Sequence, residues 1–290
     1  MKKVLSLLCM TVLIGFVSSA PRLQATEGKL EPFLGDPSLE LGQVFRGERF
    51  PNIVVSMKGT VIATWGTSHV RARRSEDGGK TWGEEIVIQK PGFQCGGVVV
   101  DEGSGDILAF VEDRHPPAPV SVYRSQDDGK TWSKPQNMTR TWKKKDWILL
   151  APSPQSGIAL FDGTLVMPTQ GRDEKDRMFS ALIVSRDHGA TWTVGAASAT
   201  GNGECQAVQR SDGSILLNAR TARPTKFRSV WITDDLGQTF KQTETSWPKD
   251  GNDESTIAEL QDGTVLYITR SNTSPCSGFV TVDDEGCAAC

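Results

Sequence analysis

An all-β fold, a β-propeller of four-stranded blades, is the architecture this sequence predicts, and three observations point to it. The first is an eight-residue stretch, Ser75-Glu76-Asp77-Gly78-Gly79-Lys80-Thr81-Trp82. It recurs from Ser125 to Trp132 and from Ser185 to Trp192, with a weaker copy from Thr233 to Phe240. The second is the spacing: the copies begin 50, 60 and 48 residues apart (75 to 125, 125 to 185, 185 to 233). A period near 50 residues matches one four-stranded blade. The third is an offset mark, a turn pair before an apolar run, at Lys58-Gly59, Gly105-Asp106, Asp162-Gly163, Asp212-Gly213 and Asp262-Gly263. The runs that follow are Val61–Ala63, Ile107–Phe110, Leu165–Met167, Ile215–Leu217 and Val265–Ile268. Two hairpins per period make four strands, and five periods can be counted.

Each part of the repeated stretch has a physical task. The Asp carboxylate accepts turn N–H groups, the Gly adopts positive φ, and the closing Trp or Phe packs between neighbouring sheets. These turns therefore position blades and carry no chemistry of their own. An unbroken repeat across 290 residues argues for one domain. A composition with 37% hydrophobic residues, 29 Gly and 15 Pro suits a turn-rich chain with a large core. A net charge of -3 gives no reason to expect a nucleic-acid or acidic-membrane partner.

Residues 1–25 read as a secretory signal. Lys2-Lys3 precede an apolar run from Val4 to Val17, then Ser18-Ser19-Ala20, with cleavage after Ala20 or Ala25. The run is too short for an ordinary spanning helix, so no membrane span is expected in the mature chain. The expectation is a secreted or periplasmic protein whose domain runs from 26 to 290. Export leaves five cysteines, Cys95, Cys205, Cys276, Cys287 and Cys290. Their odd number and spacing argue against a zinc site, and no metal or cofactor motif is found.

Candidate site residues fall at strand ends. Arg49 stands before Pro51 and the β-branched run Ile53-Val54-Val55, at the mouth of the first strand. Glu204 follows the turn Gly201-Asn202-Gly203, and Arg220 ends the next strand. A hairpin turning at Asp212-Gly213 brings 204 and 220 to the same open end, as a rim ion pair or as part of a site. Arg270 closes the run Leu266–Thr269 one period later.

Arg49-Phe50-Pro51 before a strand resembles the Arg-Ile-Pro motif of the sialidase (neuraminidase) family, and the repeated stretches resemble its Asp boxes. Lys145-Asp146-Trp147, Pro152-Ser153-Pro154, Gly157–Leu160 and Ser180–Val184 follow in the order of that family. Gly203-Glu204-Cys205-Gln206, then Leu217-Asn218-Ala219-Arg220, is similar to its Glu-Cys-Gln…Asn-x-Arg segment. The resemblance spans roughly residues 45–286. It implies a six-bladed propeller acting as an exo-α-sialidase on sialylated glycans or another acidic sugar. It also implies substrate-carboxylate binding by Arg49, Arg220 and Arg270, and Glu204 as the base that activates a Tyr nucleophile. Planar, permanently charged arginines suit a carboxylate, and a phenol needs a neighbouring base.

Two departures from the family stand out. Its acid/base Asp belongs to the first blade, yet Thr64–Arg74 holds no Asp or Glu; His69 there, or Asp113 in the next blade, is the remaining candidate. Its Tyr lies in the sixth blade, whereas Tyr123 and Tyr267 both read as strand residues and Val282–Gly286 resembles a decayed fifth box. The expectation is a propeller whose last blade is missing, with turnover in doubt. A non-catalytic carbohydrate-binding propeller, and a hydrolase or lyase of another acidic sugar, remain as alternatives. Oligomeric state is not legible.

Overall fold

The computed structural model describes residues 42–94, 96–142, 144–221, 228–243, 255–260 and 263–269, with two further strands at 279–282 and 288–289. These form five antiparallel sheets, each an up-and-down meander. The first holds β1 (Asn52–Val55), β2 (Val61–Trp65), β3 (Val70–Ser75) and β4 (Ile86–Gln89). The second holds β5 (Val98–Val100), β6 (Ile107–Glu112), β7 (Val120–Ser125) and β8 (Gln136–Asn137). A four-residue helix, α1 (Thr139–Trp142), follows. The third sheet runs from β9 (Trp147–Pro152) and β10 (Ile158–Ala159) through β11 (Leu165–Asp173) and β12 (Met178–Ser185) to β13 (Thr193–Val194). The fourth is β14 (Asn202–Gln209), β15 (Ile215–Thr221), β16 (Ser229–Thr233) and β17 (Lys241–Gln242). The fifth is β18 (Ser255–Glu259), β19 (Val265–Thr269), β20 (Phe279–Val282) and β21 (Ala288–Ala289).

The predicted propeller of four-stranded blades is the observed architecture, with one difference. The third sheet has five strands, because the nine-residue β11 pairs with both β9 and β10. The inner strand of that blade is thus split in two across residues 153–157. The longer interval between the second and third boxes, 60 residues instead of 50, accommodates α1 and β9.

Every box lies between the third and fourth strands of its blade, and all four build the same turn. The Ser or Thr hydroxyl donates to the Asp carboxylate (2.7, 3.0, 2.8 and 2.8 Å) and accepts the Gly N–H two residues beyond that Asp. The same carboxylate accepts both the N–H and the hydroxyl of the closing Thr. The hydroxyl and N–H of Thr191 hold Asp187 down to about 2, and those of Thr239 do the same for Asp235. Two successive residues take positive φ in each turn. The second is always Gly; the first is Gly78, Asp128, His188 or Leu236, at φ 73°, 68°, 56° and 59°.

In the second, third and fourth boxes that first residue reaches back to the preceding blade. Asp128 accepts the Thr60 hydroxyl at 2.6 Å and pairs with Arg74 at 2.8 Å, and Arg74 Nε also donates to its backbone carbonyl at 2.6 Å. His188 Nδ1 lies 2.8 Å from Asp101, and Arg124 donates to the His188 carbonyl at 2.7 Å. Leu236 packs instead into the apolar cluster around Leu182 and Leu217. The box aromatics complete these seams. Trp132 packs against the apolar cluster that Ile62 and Val70 of the first blade form with Ile107 of the second. Trp192, 3% exposed, packs edge-on to Phe110 (5.2 Å) between the second and third. Burial of such an indole is worth about 3–5 kcal/mol against alanine.

Candidate active site

The first strands of the blades converge, and a cavity of about 400 Å³ opens among their ends. Its lining comes from four blades: Arg49, Phe50 and Pro51 before β1, Pro154 and Gln155 from the break between β9 and β10, Glu204 to Gln206 in β14 and Arg228 before β16, and Ser255 opening β18. Because β9 and β10 are each pinned to β11, the intervening Pro154 and Gln155 are released from the ladder and face the opening.

Arg49 is exposed, and its guanidinium lies 4.6 Å from the centre of the Phe50 ring. Phe50 sits at φ 58°, a costly conformation for an aromatic residue. Its ring also packs against Phe93, with the centroids 5.4 Å apart. The neighbouring Glu48 is a carboxylate near the site but not a proton donor. Burial pushes its pKa up, yet the Thr67 N–H, the Ser68 and Thr67 hydroxyls and Arg71 outweigh this and hold it at about 2. Glu48 is therefore a clasp on the loop 66–70, accepting Thr67 N at 2.5 Å.

Glu204 was expected to start its strand; β14 begins two residues earlier at Asn202, and Glu204 occupies a register shift between Asn202 and Cys205. The displaced residue points its carboxylate at Arg220 on β15, with Arg220 Nη1 at 2.6 Å from Glu204 Oε2. The expected meeting of 204 and 220 is thus present as an ion pair at the rim, both side chains about one-quarter exposed. Arg220 reaches the site through Glu204 rather than as part of the cavity wall. Arg270 lies outside the described residues.

Of the acid/base candidates, neither lines the cavity. His69 bonds the Ser68 hydroxyl at 3.0 Å, and Asp113 is exposed on its loop. Two residues beyond Asp113, His115 borders a second cavity of about 390 Å³ that also touches Phe50 and Glu204. Among the described lining residues of the first cavity, Glu204 is the only carboxylate and no tyrosine contributes. Tyr123 and Tyr267 are buried strand residues, as expected, and the Tyr123 hydroxyl donates to Gln89 at 2.7 Å. Cys205 is buried and unpaired; burial pushes its thiol up to about 12, which makes it a packing residue and not a nucleophile. The other cysteines lie outside the described residues.

Sequence reasoning missed Arg228. It carries no motif, and its burial at 4% exposure depends on Asn218 of the adjacent strand, whose Oδ1 accepts Arg228 Nε at 2.7 Å. Among the described residues no cluster of His, Cys, Asp or Glu is arranged to hold a metal ion, and no helix is long and apolar enough to cross a membrane.

Residues 69–275 match the family model described as a BNR repeat-like domain. The chain belongs to the sialidase/BNR-repeat propeller family. Among curated proteins, this BNR-repeat propeller is 30% identical over 239 residues to a sialidase of Bacteroides fragilis, covering 68% of this chain and 44% of that one. It is 26% identical to a sialidase of Clostridium perfringens, covering 67% and 60%. The chain spans about half the length of the curated relatives it matches. Among solved structures it is similar to the Hadza microbial sialidase Hz136, with a TM-score of 0.71, 24% identity and 81% and 55% coverage. It is also similar to a Trypanosoma rangeli sialidase in complex with sialic acid, with a TM-score of 0.62, 19% identity and 87% and 48% coverage.

Proposed function

We propose that the cavity binds the terminal sialic acid of a glycoconjugate and that the protein is an exo-α-sialidase-like glycoside hydrolase. The observation that carries this reading is the convergence of Arg49 and Glu204 on one cavity from first strands three blades apart, with Arg220 fixing the Glu204 carboxylate. An exposed guanidinium at the mouth suits an anionic sugar, since Arg binds a carboxylate through paired, charge-assisted hydrogen bonds. Glu204 has the role of base, its orientation set by Arg220, next to the anomeric centre of a sugar seated on Arg49. The leader-like residues 1–25 support an exported location.

The experiment is release of 4-methylumbelliferone from its α-N-acetylneuraminic acid glycoside, with Glu204→Gln as the comparison. Turnover abolished by Glu204→Gln is the expected result. A second reading, a carbohydrate-binding propeller without turnover, is favoured by one observation: Glu204 is the only carboxylate, and no tyrosine is present, among the described residues lining the cavity. Sialic acid binding without release selects it, and a chain that neither binds nor cleaves sialosides refutes both.

A further inference from the structure

We propose that Ser153 and Ser180, two buried serines of the third blade, are positioning residues for Glu204. Their hydroxyls hold the backbone on either side of Glu204 in the bulge from which its carboxylate reaches the cavity. This rests on the reading of Glu204 as the base and names residues to which the sequence pattern assigns no role.

Between the pairs Asn202↔Thr221 and Cys205↔Ala219, β14 carries Gly203 and Glu204 while β15 carries Arg220 alone. Two residues against one is a bulge, and a bulge disrupts the ladder locally. Buried backbone groups near it must then find partners outside the ladder. Here the groups flanking Glu204 are met from the neighbouring blade. The Ser180 hydroxyl donates to the Gly203 carbonyl at 2.7 Å, and the Cys205 N–H donates to Ser153 Oγ at 2.6 Å. Gly203 is also closely packed, since a Cβ there would lie 2.3 Å from Met178 Cε.

Both serines are fully buried and rigidly placed. The Ser153 N–H donates to the Pro168 carbonyl on β11 at 2.9 Å. Ser180 lies opposite Gln170 within β12, its N–H donating to Ser198 Oγ at 3.0 Å and its carbonyl accepting the Ser198 N–H at 2.8 Å. Arg220 sets the direction of the Glu204 carboxylate, and the serines set the place of the backbone that carries it. The bulge of the fourth blade is thereby specified by the third. A reacting group needs its geometry fixed closely, and groups on rigid strands fix it better than a loop does.

The test uses the full chain, with Ser153→Ala and Ser180→Ala compared against Ser185→Ala. Ser185 is equally buried in the same blade, but its hydroxyl serves the turn at Asp187 and Gly189. With a fluorogenic sialoside, and at a temperature where all variants are folded, Ser153→Ala and Ser180→Ala should each lower kcat about 10- to 100-fold and change KM less than threefold. Ser185→Ala should lower the melting temperature and leave kcat in place. In the ligand-free chain, the Nε–H nitrogen resonance of Arg220 should move in Ser153→Ala and Ser180→Ala and stay in Ser185→Ala. The wild-type chain needs no variant: its Cys205 amide should exchange with solvent as slowly as the β14–β15 ladder amides. An Arg220 resonance indifferent to both hydroxyls, an equal loss of kcat in Ser185→Ala, or a fast-exchanging Cys205 amide overturns the inference. Absence of turnover in the wild-type chain counts against Glu204 as the base, while the resonance and exchange measurements still decide the positioning.

Discussion

Replacing Asp128 with alanine should destabilise the protein by about 3 kcal/mol, through the seam between the first two blades. The carboxylate accepts the hydroxyl of Thr60, which is 1% exposed, and pairs with Arg74, whose side chain is 13% exposed. Removing one partner of a buried ion pair costs about 3–5 kcal/mol, because the other is left desolvated and unmatched. Two contacts move the expectation to the lower end of that range. Arg74 keeps its bond to the backbone carbonyl at position 128 and its contact with Glu76 at 3.1 Å. The φ of 68° provides a control, since glycine relieves strain there and alanine does not. If the carboxylate dominates, Asp128→Gly still loses about 2 kcal/mol; if strain dominates, it gains. Urea unfolding followed by tryptophan fluorescence reads the difference. A midpoint unchanged in Asp128→Ala, or raised in Asp128→Gly, refutes the assignment of this seam to charge pairing.

Three other outcomes follow from the same geometry. A Cβ on Gly96 would lie 2.0 Å from the Ser153 carbonyl oxygen and 2.5 Å from Pro154 Cα, so Gly96→Ala should cost about 1–3 kcal/mol in thermal unfolding and loosen the cavity wall. Asp187 and Asp235 titrate at about 2 when folded against about 4 when unfolded, so their contribution is present above pH 4 and lost as the pH falls towards 2. Asp187→Asn should therefore lower the melting temperature at pH 7 and leave it nearly unchanged at pH 2; an equal drop at both would contradict the linkage. Arg49→Ala should weaken N-acetylneuraminic acid binding about 10- to 100-fold in calorimetry with no loss of melting temperature, the guanidinium being exposed.

The parts of this fold that were legible are those closed within a few residues. Ser75, Asp77, Gly79 and Thr81 satisfy one another across a single turn, so their spacing alone announces the structure. The Glu204–Arg220 meeting was legible for a similar reason, since hairpin register follows from a turn at Asp212-Gly213. The register shift at Glu204 was not, because a bulge depends on what the extra residue pairs with. Nor were the seams legible: Asp128, His188 and Leu236 occupy one box position with unrelated chemistry, each suited to a different neighbour. Arg228 and Gln206 are linked through Asn218 and Ser255, and Ser255 belongs to the next blade, more than 25 residues further along the chain.

The interruption between β9 and β10 has an evolutionary consequence. Each half-strand holds its own register on β11, at Pro152–Thr169 and at Ile158–Val166, so residues 153–157 span two fixed anchors. Insertions or deletions between those anchors would resize the chamber without re-laying any sheet. The same five residues also touch three other blades, through Gly157 to Val98, Ser153 to Cys205 and Gln155 to Ser255, so any such edit is felt around the ring.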